Sequence, residues 1–232
     1  MNSKKISMKN VSYSITEGER NRKLLKNVTT DFEGGKITVI SGPSGSGKTT
    51  LLYAMAGLLD RVEGEIHIGN TDINKLSAKE KAAIRLENIS IIFQNLNLFS
   101  FMNVEDNILV PLYLKNRTVT EETRKKIAHY LDLMCLGQIQ EKKISNLSGG
   151  EQQRVAIIRA LIDDPEVVLC DEPTASLDSE NTHQFMETLV KISRESGAAI
   201  IIVTHDARVF AYGEEKVTMV DGELFDDENN VI

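Results

Sequence analysis

Gly42-Pro43-Ser44-Gly45-Ser46-Gly47-Lys48-Thr49, with Thr50 behind it, follows a compact β-branched run and precedes a helical pattern, which is the setting a polyphosphate-binding loop requires. Glycines allow the tight path and the close approach of an anion, and successive N–H groups at a helix start turn toward its oxygens. Lys48 would reach the terminal phosphates as a point charge, and Thr49 would set a hydroxyl on magnesium. A lysine buried at such a turn without an anion would be costly. The matching acid should close a buried strand, and Asp171 does so after Glu166-Val-Val-Leu-Cys170, with Glu172 beside it to orient or deprotonate a water. Gln94 follows Ile89–Phe93 and His205 follows Ile200–Thr204, so both leave the carboxyl ends of apolar strands, where parallel sheets bind ligands. His67, His129 and His183 have neither that placement nor metal-ligand spacing with the cysteines. A second glycine turn, Leu147-Ser148-Gly149-Gly150-Glu151, opens another helix and has no evident phosphate of its own.

The elements needed to hold these residues are legible as periodicities. Ile6–Ile15, Leu24–Phe32 and Lys36–Ile40 read as strands, Gly34-Gly35 as a turn, and Leu51, Leu52, Met55 and Leu58 as a helix face running to Leu59-Asp60. Gly64–Ile68 and Ile89–Phe93 are further strand patterns, and Ser77–Asn88 a helix. From Val104 to Leu136 the character is helical, with Thr118 or Thr120 as a cap and Ile127, Leu131 and Met134 on one face. Ser148 caps a helix carrying Val155, Ile158 and Leu161, which stops before Pro165. The nearly continuous apolarity of Glu166–Cys170 predicts a central parallel strand covered on both faces, and Ala198–Val203 reads as a further strand. A helix over about 180–196 and a hairpin at Asp221-Gly222 complete the pattern, and Asp226–Asn230 reads as a solvated tail. Together they predict an α/β core, a mostly parallel sheet with an antiparallel addition at the N-terminal end.

At 232 residues the chain fits one large domain. With 34 acidic and 27 basic residues, a net charge of −7 and no long basic block, nucleic acid is not an expected partner. The start, Met-Asn-Ser-Lys-Lys-Ile, lacks the apolar run of a signal peptide, and no apolar run nears the roughly 20 residues that span a bilayer. Cys135 and Cys170 do not suggest a disulfide, the second lying inside a buried-strand pattern.

Taken in this order, the motifs resemble the ATP-binding cassette (ABC) ATPases of membrane transporters over essentially the whole chain. The resemblance implies a P-loop NTPase core over 1–232, an N-terminal antiparallel β subdomain and a helical subdomain at about 95–160. It implies ATP and Mg2+, with Gly42–Thr50 as the phosphate loop and Thr49, Gln94 and Asp171 around the metal. Glu172, His205 and Gln94 would be catalytic. Leu147–Glu151 matches the signature, which in this family closes over the nucleotide of a second copy in a head-to-tail homodimer; Asp178, in Ser176-Leu-Asp178, matches the loop that communicates across it. Integral membrane permeases would be the further partners, with the protein peripheral on the cytoplasmic face of the membrane.

Ile92–Leu98, Asn107–Pro111, Asp171–Asp178 and Ile202–Asp206 look most like the lipoprotein-release, macrolide-export, cell-division and antimicrobial-peptide-resistance subgroup, which implies an exporter or force transducer without a C-terminal regulatory domain. The competing class is a non-transport ABC ATPase acting as a soluble module or on a macromolecular complex. One element departs from the family. Relatives often carry an adenine-stacking aromatic at the position of Ile15, whereas Tyr13 stands two residues earlier, roughly 7 Å along the strand. Adenine would meet either Tyr13 or Ile15. Phe99, Phe101 and Met102, within Leu96–Leu114, are either contacts for a membrane partner or an internal cluster.

Overall fold

The computed structural model describes residues 5–18, 20–175, 177–226 and 231. Strands β1 (Lys5–Glu17) and β2 (Arg20–Glu33) form a hairpin through Gly18, longer than the sequence predicts because polar cross-strand partners such as Thr16 and Asn21 extend the ladder. With β4 (Glu63–Ile68) and the two-residue β5 (Thr71–Asp72) they make an antiparallel sheet in the order β2-β1-β4-β5. The second sheet contains β3 (Ile37–Ser41), β6 (Ile89–Ile92), β7 (Val167–Asp171), β8 (Ala199–Val203), β9 (Glu215–Val220) and β10 (Glu223–Phe225), in the order β10-β9-β3-β8-β7-β6. Only β10 runs antiparallel to its neighbour.

The uninterrupted apolar runs of β7 and β8 arise because both faces of this sheet are covered. Val168, Cys170, Ile200 and Ile202 enter one core cluster, while Val167, Leu169, Ile201 and Val203 enter another on the opposite face. The second cluster is shared with the antiparallel sheet and with helix α1 (Lys48–Met55), through Ile6, Phe32, Leu51, Leu52 and Ile66. Alternation at period two is thus present but both phases are buried. Helix α1 stops short of the predicted Leu58, which is 43% exposed.

The first cluster is shared with α3 (Val104–Leu114), α4 (Glu121–Leu133), α5 (Gly149–Leu161) and α6 (Ser179–Ser196). The predicted helical stretch over 104–136 is therefore two helices. Thr120, not Thr118, caps α4 in a reciprocal box with Thr123. Ile108, Leu131, Val155 and Ile158 join the same cluster as Val168 and Ile202, so the helical region and the sheet share one core. Helix α2 (Ala78–Asn88) caps at Ser77 with Glu80 and buries no residue fully. A short α7 (Ala207–Phe210) follows β8 and was not evident in the sequence. Of the acidic tail, 227–230 lie outside the described residues.

Candidate functional site

The carboxyl ends of β3, β7 and β8 meet at one edge of the parallel sheet, and most of the predicted polar residues are gathered there. Between β3 and α1 the chain turns through Gly42 and Gly47, whose φ values are 151° and 110°. A Cβ at Gly42 would lie 2.1 Å from the Met219 carbonyl oxygen, and one at Gly47 would lie 2.7 Å from that of Leu24. Both positions therefore demand glycine on steric as well as conformational grounds. Gly47 also caps α1 without a side-chain bond, so the N–H groups of the first turn stay directed at whatever occupies the loop.

Lys48 is 9% exposed, and its ammonium donates to the carbonyls of Gly42, at 2.8 Å, and Pro43, at 3.0 Å. Burial lowers its proton affinity, while the negative charges of Glu172 and Asp171 oppose that shift. A partly desolvated cation held by neutral carbonyls is poised to take an anion. Thr49 donates its hydroxyl to Asp171 Oδ1 at 3.3 Å. Burial raises the Asp171 carboxyl above its usual range, the Glu172 charge adds to this, and the Thr49 bond and Lys48 work against it.

Glu172 sits at φ 50°, a left-handed conformation that β-strand exits rarely impose on a carboxylate residue. Its carboxylate accepts from the Thr204 hydroxyl at 2.9 Å and the His205 backbone N–H at 3.1 Å, and lies 2.7 Å from His205 Nδ1. Thr204 is fully buried, whereas the His205 side chain is 72% exposed. Thr204 holds the acid in place, a role not singled out in the sequence because a hydroxyl at a strand end is common.

A cavity of about 550 Å3 joins these parts. Ser44, Gly45, Gly47, Lys48, Thr49 and Thr50 of the phosphate loop line it, together with Glu172 and His205 and with Ile15, Arg22 and Leu24 of the β1–β2 hairpin. Pro43 contributes its carbonyl to Lys48, and buried Ser46 bonds through its N–H to the Pro43 carbonyl at 3.2 Å. Of the two candidates for a base contact, Ile15 lines the cavity and Tyr13 does not. A register shift between Tyr13 and Ser14 breaks the expected two-residue alternation, and Tyr13 packs against the core.

Several predicted residues lie elsewhere in the chain. Gln94 is exposed and lines a second cavity of about 530 Å3 with Gly149 and Gln152, whereas Thr49 lines the first. The loop after β6 is held to α5 by Arg159, which donates to the carbonyls of Leu96 and Asn97 at 2.6 and 2.7 Å. Asn107, fully buried, bonds both backbone groups of Phe99 and pins the same loop to α3. Leu147 is buried in the core; Ser148 caps α5, and Glu151 accepts from the Ser148 N–H at 2.7 Å and hydroxyl at 2.8 Å. Asp178 caps α6 by accepting from the Asn181 N–H at 2.8 Å, and neighbouring Ser176 lies outside the described residues.

A strand, a glycine loop cradling a lysine, and a threonine–aspartate pair at the edge of a parallel sheet define a P-loop NTPase. The sequence profile described as "ABC transporter" matches residues 25–175. Over 94% of its length the chain is 38% identical to an uncharacterized ABC transporter ATP-binding protein, MJ0796, of Methanocaldococcus jannaschii, covering 94% of that protein. It is 37% identical over 96% of its length to the macrolide export ATP-binding/permease protein MacB of Chlorobaculum tepidum, of which it spans 34%. The dimeric post-hydrolysis structure of MJ0796 bound to ADP and Pi superposes with a TM-score of 0.82 at 38% identity, covering 94% of this chain and 95% of that one. The chain belongs to the ABC transporter family and is its ATP-hydrolysing, nucleotide-binding subunit.

Proposed function

We propose that two copies of the chain bind ATP head to tail and hydrolyse it to drive an exporter or force-transducing membrane partner. The observation that carries this reading is the separation of the two glycine turns: Lys48 and Glu172 line one cavity, while Gly149 lines another on the same chain. Within a monomer the exposed start of α5 has no phosphate to meet. In a head-to-tail pair Ser148, Gly149 and Gly150 would face the γ-phosphate held by the partner copy's phosphate loop, and the N–H groups of α5 would add their partial charge.

The loop N–H groups and Lys48 bind and orient the triphosphate, so much of the barrier is met by positioning. Glu172 takes the proton of the attacking water, and His205, bonded to that carboxylate, orients it and contacts the γ-phosphate. A hydroxyl and one carboxylate suit Mg2+, which keeps several waters and shares its remaining positions with phosphate oxygens. Thr49 and Asp171 would hold it, and the ion would neutralise charge developing on the phosphate. Gln94 would reach this group only after the loop following β6 swings toward the phosphate loop. Asp178 would sense that closure across the dimer.

The membrane partner would dock where α3 and the loop after β6 leave apolar surface. A groove of about 300 Å3 there is lined by Leu86, Phe93, Phe99, Val110 and Leu114. Phe99 and Phe101 stack edge to face, yet remain 42% and 76% exposed, which favours a contact surface over an internal cluster. No helix among the described residues is long and apolar enough to cross a membrane, so peripheral attachment at its cytoplasmic face rests on such a partner.

Exchanging Ser148 for arginine tests the composite site. Ser148→Arg should abolish hydrolysis while the isolated monomer keeps its affinity for ATP; loss of monomer binding would put Ser148 in the same-chain pocket. Cysteines introduced over 96–114 should crosslink to co-purified membrane protein under trapped-ATP conditions, and capture of none would count against docking there.

A further inference from the structure

We propose that Arg22 is the base-holding residue of the nucleotide cavity, its planar guanidinium lying over the purine ring against an aliphatic floor formed by Ile15. This assignment rests on the nucleotide reading of the cavity and deepens it. Ile15 and Arg22 are direct cross-strand partners in the β1–β2 hairpin, so their side chains emerge side by side on one face. Both line the nucleotide cavity, and the third residue lining it from the same hairpin, Leu24, is also non-aromatic. The nearest ring in sequence, that of Tyr13, is turned into the core by the register shift. The hairpin therefore offers a base aliphatic carbon and a single guanidinium.

Arg22 has the means to do this. It is exposed, and no described residue forms an ion pair or hydrogen bond with it; among the arginines it alone lines the nucleotide cavity. A guanidinium is planar, weakly hydrated and stacks on π faces, while an ammonium is a compact, strongly hydrated point charge. Stacking of that kind reads the ring face and tolerates a change of base. The rival use of Arg22 is as a phosphate contact, since it also borders a small cavity of about 150 Å3 with Lys23, Lys26, Gly45 and Ser46. The two uses differ in what they need from the ligand. A stacking residue needs the base; a phosphate contact does not.

Equilibrium binding of ATP and of inorganic tripolyphosphate to the intact chain separates them. Arg22→Ala should weaken ATP binding roughly tenfold, the size expected for loss of one stacked base, and tripolyphosphate binding by less than about twofold. Arg22→Lys, which keeps charge but not plane, should leave ATP binding near the alanine level, and Arg22→Tyr should restore it. An equal loss for both ligands, or full recovery with lysine, overturns the assignment. Wild-type protein that binds neither ligand overturns the nucleotide reading and this assignment with it, whereas ATP binding that Arg22→Ala leaves intact overturns this assignment alone.

Discussion

Glu172 is restrained by its left-handed backbone and by three contacts, with the Thr204 hydroxyl, the His205 N–H and the His205 ring. A carboxylate so fixed loses little freedom when a water is presented to it, and this is where the residue-scale account can be tested. Thr204→Val keeps shape and removes one hydrogen bond. It should lower kcat by about fivefold and leave KM for ATP nearly unchanged, since one bond of about 1 kcal/mol to the proposed base would be used in the transition state and not in binding. A rise in KM at constant kcat would show that Thr204 shapes the pocket instead. Glu172→Gln should retain ATP binding and lose turnover, and hydrolysis near the normal rate would remove Glu172 from the mechanism. Lys48, Asp171, Glu172 and His205 were legible because residue type, spacing and strand-end position all agreed. Thr204 and Arg22 were not, because a hydroxyl at a strand end and an arginine in a polar hairpin look ordinary until partners are placed.

Helix α5 shows how one element serves two ends. At its start Ser148 and Glu151 satisfy each other's orphan groups, and toward its end Arg159 holds the loop that carries Gln94. The Ser148 N–H, then its hydroxyl, hold the Glu151 carboxyl below the usual carboxylate range. A lowered carboxyl stabilises the fold above its unfolded value and loses that contribution as pH falls through the lowered folded value. Ser148→Ala should therefore cost about 1 kcal/mol in chemical denaturation at neutral pH, and the gap from wild type should shrink in acid. An equal gap at both pH values would mean that Glu151 has no part in the cap. Elements were read well wherever capping and periodicity coincided, as at Thr120, Ser148 and the buried strands. The reading left the base contact open between Tyr13 and Ile15, since the Tyr13–Ser14 register shift is set by the pairing of two strands and leaves no mark in either alone.

At the scale of the molecule, two cores share the parallel sheet as a common wall. The sheet edge carrying the phosphate loop is thereby packed through shared core onto the helices carrying the Leu147–Glu151 turn, although the two cavities share no lining residue. The fold class and most of the site could be read from motifs in order. The location of Gln94 could not, because it depends on the contacts of Arg159 and Asn107 with the loop and not on the β6 pattern. In the proposed head-to-tail pair each monomer would be half of each of two sites, with ATP as the bond between copies and hydrolysis as its release. The direct test is the solution mass of the Glu172→Gln chain with and without ATP. The mass should double from 25.8 kDa when ATP is added, and the Glu172→Gln, Ser148→Arg double variant should bind ATP yet stay monomeric. A Glu172→Gln chain that remains monomeric while saturated with ATP would contradict the composite site.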